Sequence, residues 1–529
     1  MQRAPLCACI LTLTLCGTLF ASEALPTDDI RILDIPDKPQ LHLAASGPGF
    51  YDVSEYMLGS VAINVILPES DGSIDPSTED WTQIEQESVT TQILAGLSWW
   101  ATQAKWRDLT FQVLFSYSVP TGYEPISRTA DEESLWVCDV LEHMGYADAT
   151  YPLALYARAN DLRDSLGTDW ALLIFVADSS NDPDGLFAGG AAAYAYLGGP
   201  DMIMSYKNGN AGIQHMDYIV SHEILHSFYA VNEFGEGAAC DSSFGYLNVE
   251  NQNSAWPYPG ACALNLPTCI LRMQSWTGLN LCTYSKGQIG WWDSDGDSVC
   301  DVLDTFPETV LDPYLPDPTS TPTPTYTGIA EVIPLPNLNT HGPRHDVTLE
   351  TITQVMWRVD EGDWHAATPS DGSWDGTEEV FTFTTDSLGA GTHVVQARAV
   401  QTCGNSDTSF ACDTLTLDTA GVGPEATGRG AVIYVVPRPN PFAVDLEVTY
   451  AVPGNPGENV RVSVVVYDVS GREIRRLTEG FDRPGLRRIT WDGKDANSRL
   501  APSGIYFIRL TGESAASAAA ATGKVVLTR

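Results

Sequence analysis

Positive charge is what this 529-residue chain has least of: 28 Lys and Arg stand against 68 Asp and Glu, a formal net charge of −40, and only six of the cations are lysines. That shortage excludes a nucleic-acid binder, because phosphate affinity requires clustered cations. Beyond the first two dozen residues there is no apolar run of membrane-spanning length, so no transmembrane segment is expected in the mature chain. Internal repeats are missing too, which excludes a solenoid or propeller. The 43% hydrophobic content excludes an acidic disordered chain, since that much apolar surface can fill several cores. The length allows roughly two to four domains.

The charge is uneven. Residues 430–529 hold 13 Lys and Arg against 10 Asp and Glu, a net +3, which leaves −43 on everything before them. The last hundred residues therefore read as a separate unit under different constraints.

Arg3, the apolar run Leu6–Phe20 and the small residues Ala21, Ser22 and Ala24 have the make-up of a secretory signal peptide, residues 1–24. Three of the 11 cysteines lie in it, leaving eight. An even set in an exported chain favours disulfides. Cys403 and Cys412 are close enough to close a local loop, while Cys240, Cys262, Cys269 and Cys282 would staple loops in an undetermined pairing.

Strand-like runs at 60–67, 109–119, 169–178 and 201–206 alternate with helical patterns at 79–107 and 216–230, which implies a twisted sheet with packed helices over residues 27–310. Residues 312–326 carry five prolines in fifteen, so 312–327 reads as an extended spacer. Short alternating segments then fill 328–420 and 432–529, the pattern of two all-β sandwiches.

The chemistry sits in SHEILHSFYAVNEF, 221–234. On a helix His222 and His226 project from one face and can share a zinc ion, with Glu223 beside the open position as general base. A third ligand is needed from beyond the helix. Were the helix straight, Glu233 would lie about 10.5 Å past His226 along the axis, so the chain must turn near Tyr229 for Asn232 or Glu233 to reach the metal. Glu233 offers the stronger carboxylate bond, and Asp241 is a more distant choice.

These residues resemble the metzincin zinc metallopeptidases, whose helix ends in a HExxHxFGAxDEY-like sequence. The resemblance covers roughly residues 55–292 and implies an α+β peptidase domain that hydrolyses peptide bonds through a zinc-activated water. It places the turn at Tyr229, where the family has glycine, and the third ligand at Asn232, where the family has His or Asp. It also makes Met273, in CILRMQ, the methionine of the turn beneath the zinc, AAAYAYLGGPDMIMSY at 191–206 the edge strand and rim that pair with extended peptides, and Tyr284 an oxyanion partner. The alternative is a surface adhesion protein with a degenerate peptidase domain, given Tyr229 and Asn232.

WWDSDGDSVCDVLDTFP, 291–307, sets Asp293, Asp295, Asp297, Asp301 and Asp304 at loop positions 1, 3, 5, 9 and 12, with the Val299 carbonyl at position 7, a spacing that can surround calcium. The loop resembles the thrombospondin type 3 variety. The 328–420 unit resembles bacterial Ig-like modules. PNPF at 439–442, VYDVSGREIRRL and the closing GKVVLTR resemble the C-terminal sorting domain of type IX secretion, related to the Ig-like domain of flagellar hook-cap proteins. That resemblance implies recognition by secretion machinery, export through the outer membrane, and release or attachment at the cell surface.

Overall fold

The computed structural model describes residues 28–31, 47–104, 109–147, 150–233, 242–252, 268–272, 280–315, 317–342, 345–418, 435–438, 442, 445–452, 459–469, 471–483, 485–497, 499–513 and 518–528. No helix among them is long and apolar enough to cross a membrane.

The first domain is built on a six-stranded sheet. Its strands are β1 (Asp28–Arg31), β2 (Ser60–Ser70), β3 (Thr110–Thr121), β4 (Trp170–Ala177), β5 (Ala193–Tyr196) and β6 (Asp201–Ser205), in the order β1-β5-β6-β4-β2-β3. All pairings are parallel except β5 with β6. The central strands are buried on both faces, as parallel strands covered by helices must be. Alternation then sorts the side chains: Val61, Ile63, Val65, Leu172 and Ile174 meet the helices α1 (Gln83–Gln103) and α4 (Met216–Ser227). Ile66, Leu173 and Phe175 meet α2 (Glu133–His143) and α3 (Tyr151–Leu166) on the other face. Helices and strands thus interleave on a mostly parallel sheet, as the alternating strand and helix patterns imply, which is closer to an α/β than to an α+β arrangement.

Helix α1 starts where a capping box of Thr82 and Glu85 satisfies its first amides, and it buries the stripe Val89, Ile93, Gly96, Leu97 and Trp100. Gly96 is needed for close approach, because a Cβ there would overlap Val220 and the Asp217 carbonyl of α4. Trp100 Nε1 donates to Ser221 O at 3.1 Å, which pins α4 one residue before His222.

The two expected sandwiches are present. In the middle one, strands Pro307–Leu311, Thr325–Val332, Thr368–Pro369 and Glu378–Thr384 face a second four-stranded sheet across a core of Tyr326, Trp357, Phe381 and Phe383. Pro307–Leu311 pairs directly with Thr325–Val332, so the proline-rich stretch 312–324 is a connection inside this sandwich and not a spacer between domains. The interdomain boundary therefore falls before Pro307. A loop between two strands of the sandwich also reaches back: Tyr246 Oη donates to Leu335 O at 2.6 Å, and His345 lies 2.9 Å from Asp52. The last unit pairs three- and four-stranded sheets over Val448, Val464, Trp491 and Ile508.

Candidate metal centre

Every residue of α4 except Asp217 is buried, including His222, Glu223 and His226. Ionisable groups inside a helix that is packed all round are costly unless each is used. Both imidazoles are fixed from behind. His222 Nδ1 lies 3.0 Å from Ile270 O and His226 Nδ1 lies 2.7 Å from Ala230 O. A carbonyl can only accept, so both Nδ1 atoms carry the hydrogen, and both Nε2 atoms turn lone pairs into the same space, 3.2 Å apart. Two nitrogens bound to one tetrahedral zinc at the usual Zn–N length would lie about 3.3 Å apart. The donor set and its spacing fit zinc.

The turn after α4 falls where the sequence requires it. Tyr229 has φ +65°, and the bonds Ala230 N to Leu225 O (2.9 Å) and Tyr229 N to His226 O (3.0 Å) form a Schellman ending with tyrosine in the left-handed position. Its ring is buried between Gly198 and Gly342, where a Cβ at either would overlap it.

The two candidates for the third ligand part company beyond this turn. Glu233 is directed at a different cluster: its Oε1 accepts from Cys282 Sγ at 2.8 Å and Ser285 Oγ at 3.0 Å, and its ligand atom groups with those of Cys269 and Cys282 within 4.8 Å. Among the described residues, no such group holds Glu233 with both histidines. Asn232 is buried, and its carbonyl accepts from Asn251 Nδ2 at 3.4 Å. Asp241 lies outside the described residues, as does Met273. The described part of the Met273 segment does underlie α4, since Ile270 O also accepts from Tyr218 Oη at 3.1 Å and Leu271 O from Glu233 N at 2.9 Å. Tyr284, in the first turn of α5 (Thr283–Gln288), packs against the core.

Strand β5 leads into the centre, because the Gly198 amide just beyond it donates to His226 O at 3.0 Å. Its outer edge, expected to face substrate, is occupied by β1, with Leu197 N donating to Arg31 O at 2.8 Å. Sequence reasoning missed β1, a four-residue strand just after the signal-like segment. Arg31 is its one strong cue: the guanidinium pairs with Asp131 at 3.1 Å and covers the Tyr194 ring at 5.0 Å.

The acidic loop brings together only part of its proposed set. Asp293, Asp295 and Asp297 place carboxylate oxygens within 4.8 Å of one another. The loop is wound by Asx turns, with Asp293 accepting from the Gly296 and Ser298 amides, Asp295 from Asp297 and Asp297 from Val299. Asp301 accepts from Ser294 N at 2.8 Å, whereas Asp304 accepts from Asn405 Nδ2 of the sandwich at 2.7 Å and stands outside the group of three.

Of the expected disulfides, Cys403–Cys412 is not formed: Cys412 is a free, exposed thiol. Cys269 and Cys282 are buried thiols side by side, and Cys240 and Cys262 lie outside the described residues.

Comparison with known proteins bears on the last domain. Residues 448–516 match the FlgD Ig-like domain. The basal-body rod modification protein FlgD of Salmonella typhimurium is 32% identical over 112 residues, 20% of this chain and 44% of that protein, and the Salmonella typhi protein matches equally. The chain thus spans less than half the length of these curated relatives. Among solved structures, dimeric latent PorU from Porphyromonas gingivalis aligns at 18% identity and a TM-score of 0.22, covering 42% of this chain and 20% of that one. The fibronectin(III)-like modules of Clostridium thermocellum CbhA align at 12% and 0.14, covering 42% and 94%.

Proposed function

We propose that this chain is a secreted zinc-dependent endopeptidase whose site is the buried His222-Glu223-Ile224-Leu225-His226 segment of α4. The observation that carries the reading is the pair of Nε2 atoms 3.2 Å apart, each imidazole locked by a backbone carbonyl on its far side. Carbonyl partners of this kind fix the tautomer and raise ligand basicity, which a histidine filling an ordinary core would not require. Asn232 is the third ligand, since Glu233 is held by Cys282 and Ser285. When bound, zinc would supply a water acidic enough to attack at neutral pH and would polarise the peptide carbonyl. With zinc in place, the Glu223 carboxylate would act as the general base toward that water and as the acid toward the leaving amine. Burial of the helix keeps bulk water from competing for that carboxylate.

The Tyr229 departure does not weaken this reading against that of an inert adhesion protein. Tyr229 adopts the backbone that glycine would, so the substitution costs strain and keeps the turn. Glu223→Ala is expected to lower hydrolysis of casein by about 10²-fold or more while the protein still holds zinc. Undiminished hydrolysis by that variant, or less than about half a zinc per chain in the parent, would sink the assignment.

The acidic loop takes calcium through Asp293, Asp295 and Asp297, with the Val299 carbonyl and Asp301 completing the shell. The C-terminal domain serves as the address for type IX-like export through the outer membrane. The FlgD Ig-like match and the sorting-domain resemblance of the same residues support this. Export that persists after truncation at residue 430 would refute it.

A further inference from the structure

We propose that Cys269 and Cys282 are joined by a disulfide that braces the strip orienting His222. Both thiols are buried, and their sulfur atoms lie within 4.8 Å of each other and of Glu233. The two segments that carry them already run side by side: Ile270 N donates to Asn280 O at 2.8 Å, and Cys282 N points at Cys269 Sγ at 3.4 Å. Ser285 Oγ touches both sulfurs, at 3.3 and 3.4 Å. Closing the pair requires the two sulfurs to approach from within 4.8 Å to a bond of about 2.05 Å.

Formation balances as a thiol–disulfide exchange with a disulfide-bearing oxidoreductase of the export compartment. One Cys thiolate attacks a sulfur of the oxidant, giving a mixed disulfide. The second thiolate then attacks the sulfur of the first cysteine and expels the oxidant as a dithiol. Two electrons and two protons leave this chain, and the S–S bond forms. Glu233 loses its Cys282 donor and keeps Ser285 Oγ.

The brace closes a loop whose second and third residues carry the two carbonyls under the site. Ile270 O holds His222 Nδ1, and Leu271 O receives Glu233 N. Cys269 and Cys282 are therefore positioning residues, acting on the metal through Ile270. This consequence rests on the zinc reading above, whereas the bond itself does not.

The test is peptide mapping of the exported full-length protein, alkylated without reduction and digested so that Cys240, Cys262, Cys269 and Cys282 fall in different peptides. A Cys269–Cys282 linked pair is expected. Alkylation of both thiols, or linkage of either to Cys240 or Cys262, overturns the proposal. So does a second zinc per chain whose removal exposes both thiols, which would make the cluster with Glu233 a thiolate metal site. Zinc competition titrations give the second readout: reductant should weaken zinc binding roughly 10-fold in the parent and leave Cys269→Ser/Cys282→Ser unmoved. Affinity unchanged by reductant in the parent overturns the positioning role. Absence of zinc from both proteins would refute the peptidase reading while the mapping still decides the bond.

Discussion

At the scale of single residues, Tyr229 is where local and tertiary preferences collide. A non-glycine residue in the left-handed region costs about 1–2 kcal/mol, while truncating a buried aromatic ring costs about 3–5 kcal/mol. The packing term wins because the ring fills the slot between Gly198 and Gly342 beside Leu197, Val231 and Phe244. Tyr229→Gly is therefore expected to destabilise the domain by about 2 kcal/mol, read from urea unfolding midpoints; a stabilised variant would mean that the strain dominates. Burial sets a second residue-level effect. It pushes the Glu124 carboxyl up to about 7, with Glu79 and Asp178 as nearby like charges, and Asp178 up to about 6. A carboxyl raised on folding contributes stability below its unfolded pKa and loses it as pH climbs through the folded value. Stability should thus fall between about pH 5 and 7. Glu124→Gln, which can still accept from the Thr78 and Glu79 amides, should flatten that fall and gain about 1 kcal/mol at pH 8, the full shift being discounted for solvent screening. Thermal melts across pH check this, and an unchanged slope would exonerate Glu124.

At the scale of elements, legibility followed the strength of the pattern. The continuous apolar runs of β2 and β4 and the stripe of α1 announced themselves, and the histidine spacing located α4. The short amphipathic helices α2 and α3 were not anticipated, because their apolar positions are interrupted by Cys138, Asp139, Arg158 and Asn160. The choice between Asn232 and Glu233 stayed open for a different reason. Sequence gives the charge of Glu233 but not its direction, and only the fold turns it toward Cys282 and Ser285. Strand β1 makes a prediction of its own. A sheet edge can pair with one strand at a time, and β1 holds the outer edge of β5, which ends two residues before Gly198, whose amide donates to His226 O. Removing the residues up to and including Arg31 should raise kcat/KM toward extended peptides, mainly through KM. Unchanged kinetics would mean that substrate enters elsewhere.

At the scale of the whole molecule, the excess of negative charge stands over the first domain and the middle sandwich, and the acidic loop lies at their junction. On one side Trp291 Nε1 donates to Met57 O at 2.6 Å. On the other, Asp304 accepts from Asn405, and the Thr305 carbonyl accepts from Gln401 at 2.7 Å. Three carboxylates converging within 4.8 Å between those anchors repel one another unless a cation joins them. Calcium bound at 100 times its dissociation constant would stabilise the folded state by about 2.7 kcal/mol. For domains of this size that corresponds to a melting shift of roughly 5–10 °C. Dialysis into calcium-free buffer with zinc supplied should lower Tm by that amount, calcium should restore it, and Asp295→Asn with Asp297→Asn should abolish the response. Because the loop is tied to both neighbours, the first domain and the middle sandwich should shift together while the C-terminal domain, which carries none of these ligands, melts where it did before. A Tm indifferent to calcium would reduce the loop to a solvated acidic turn, and a shift confined to one neighbour would show that the junction does not couple them.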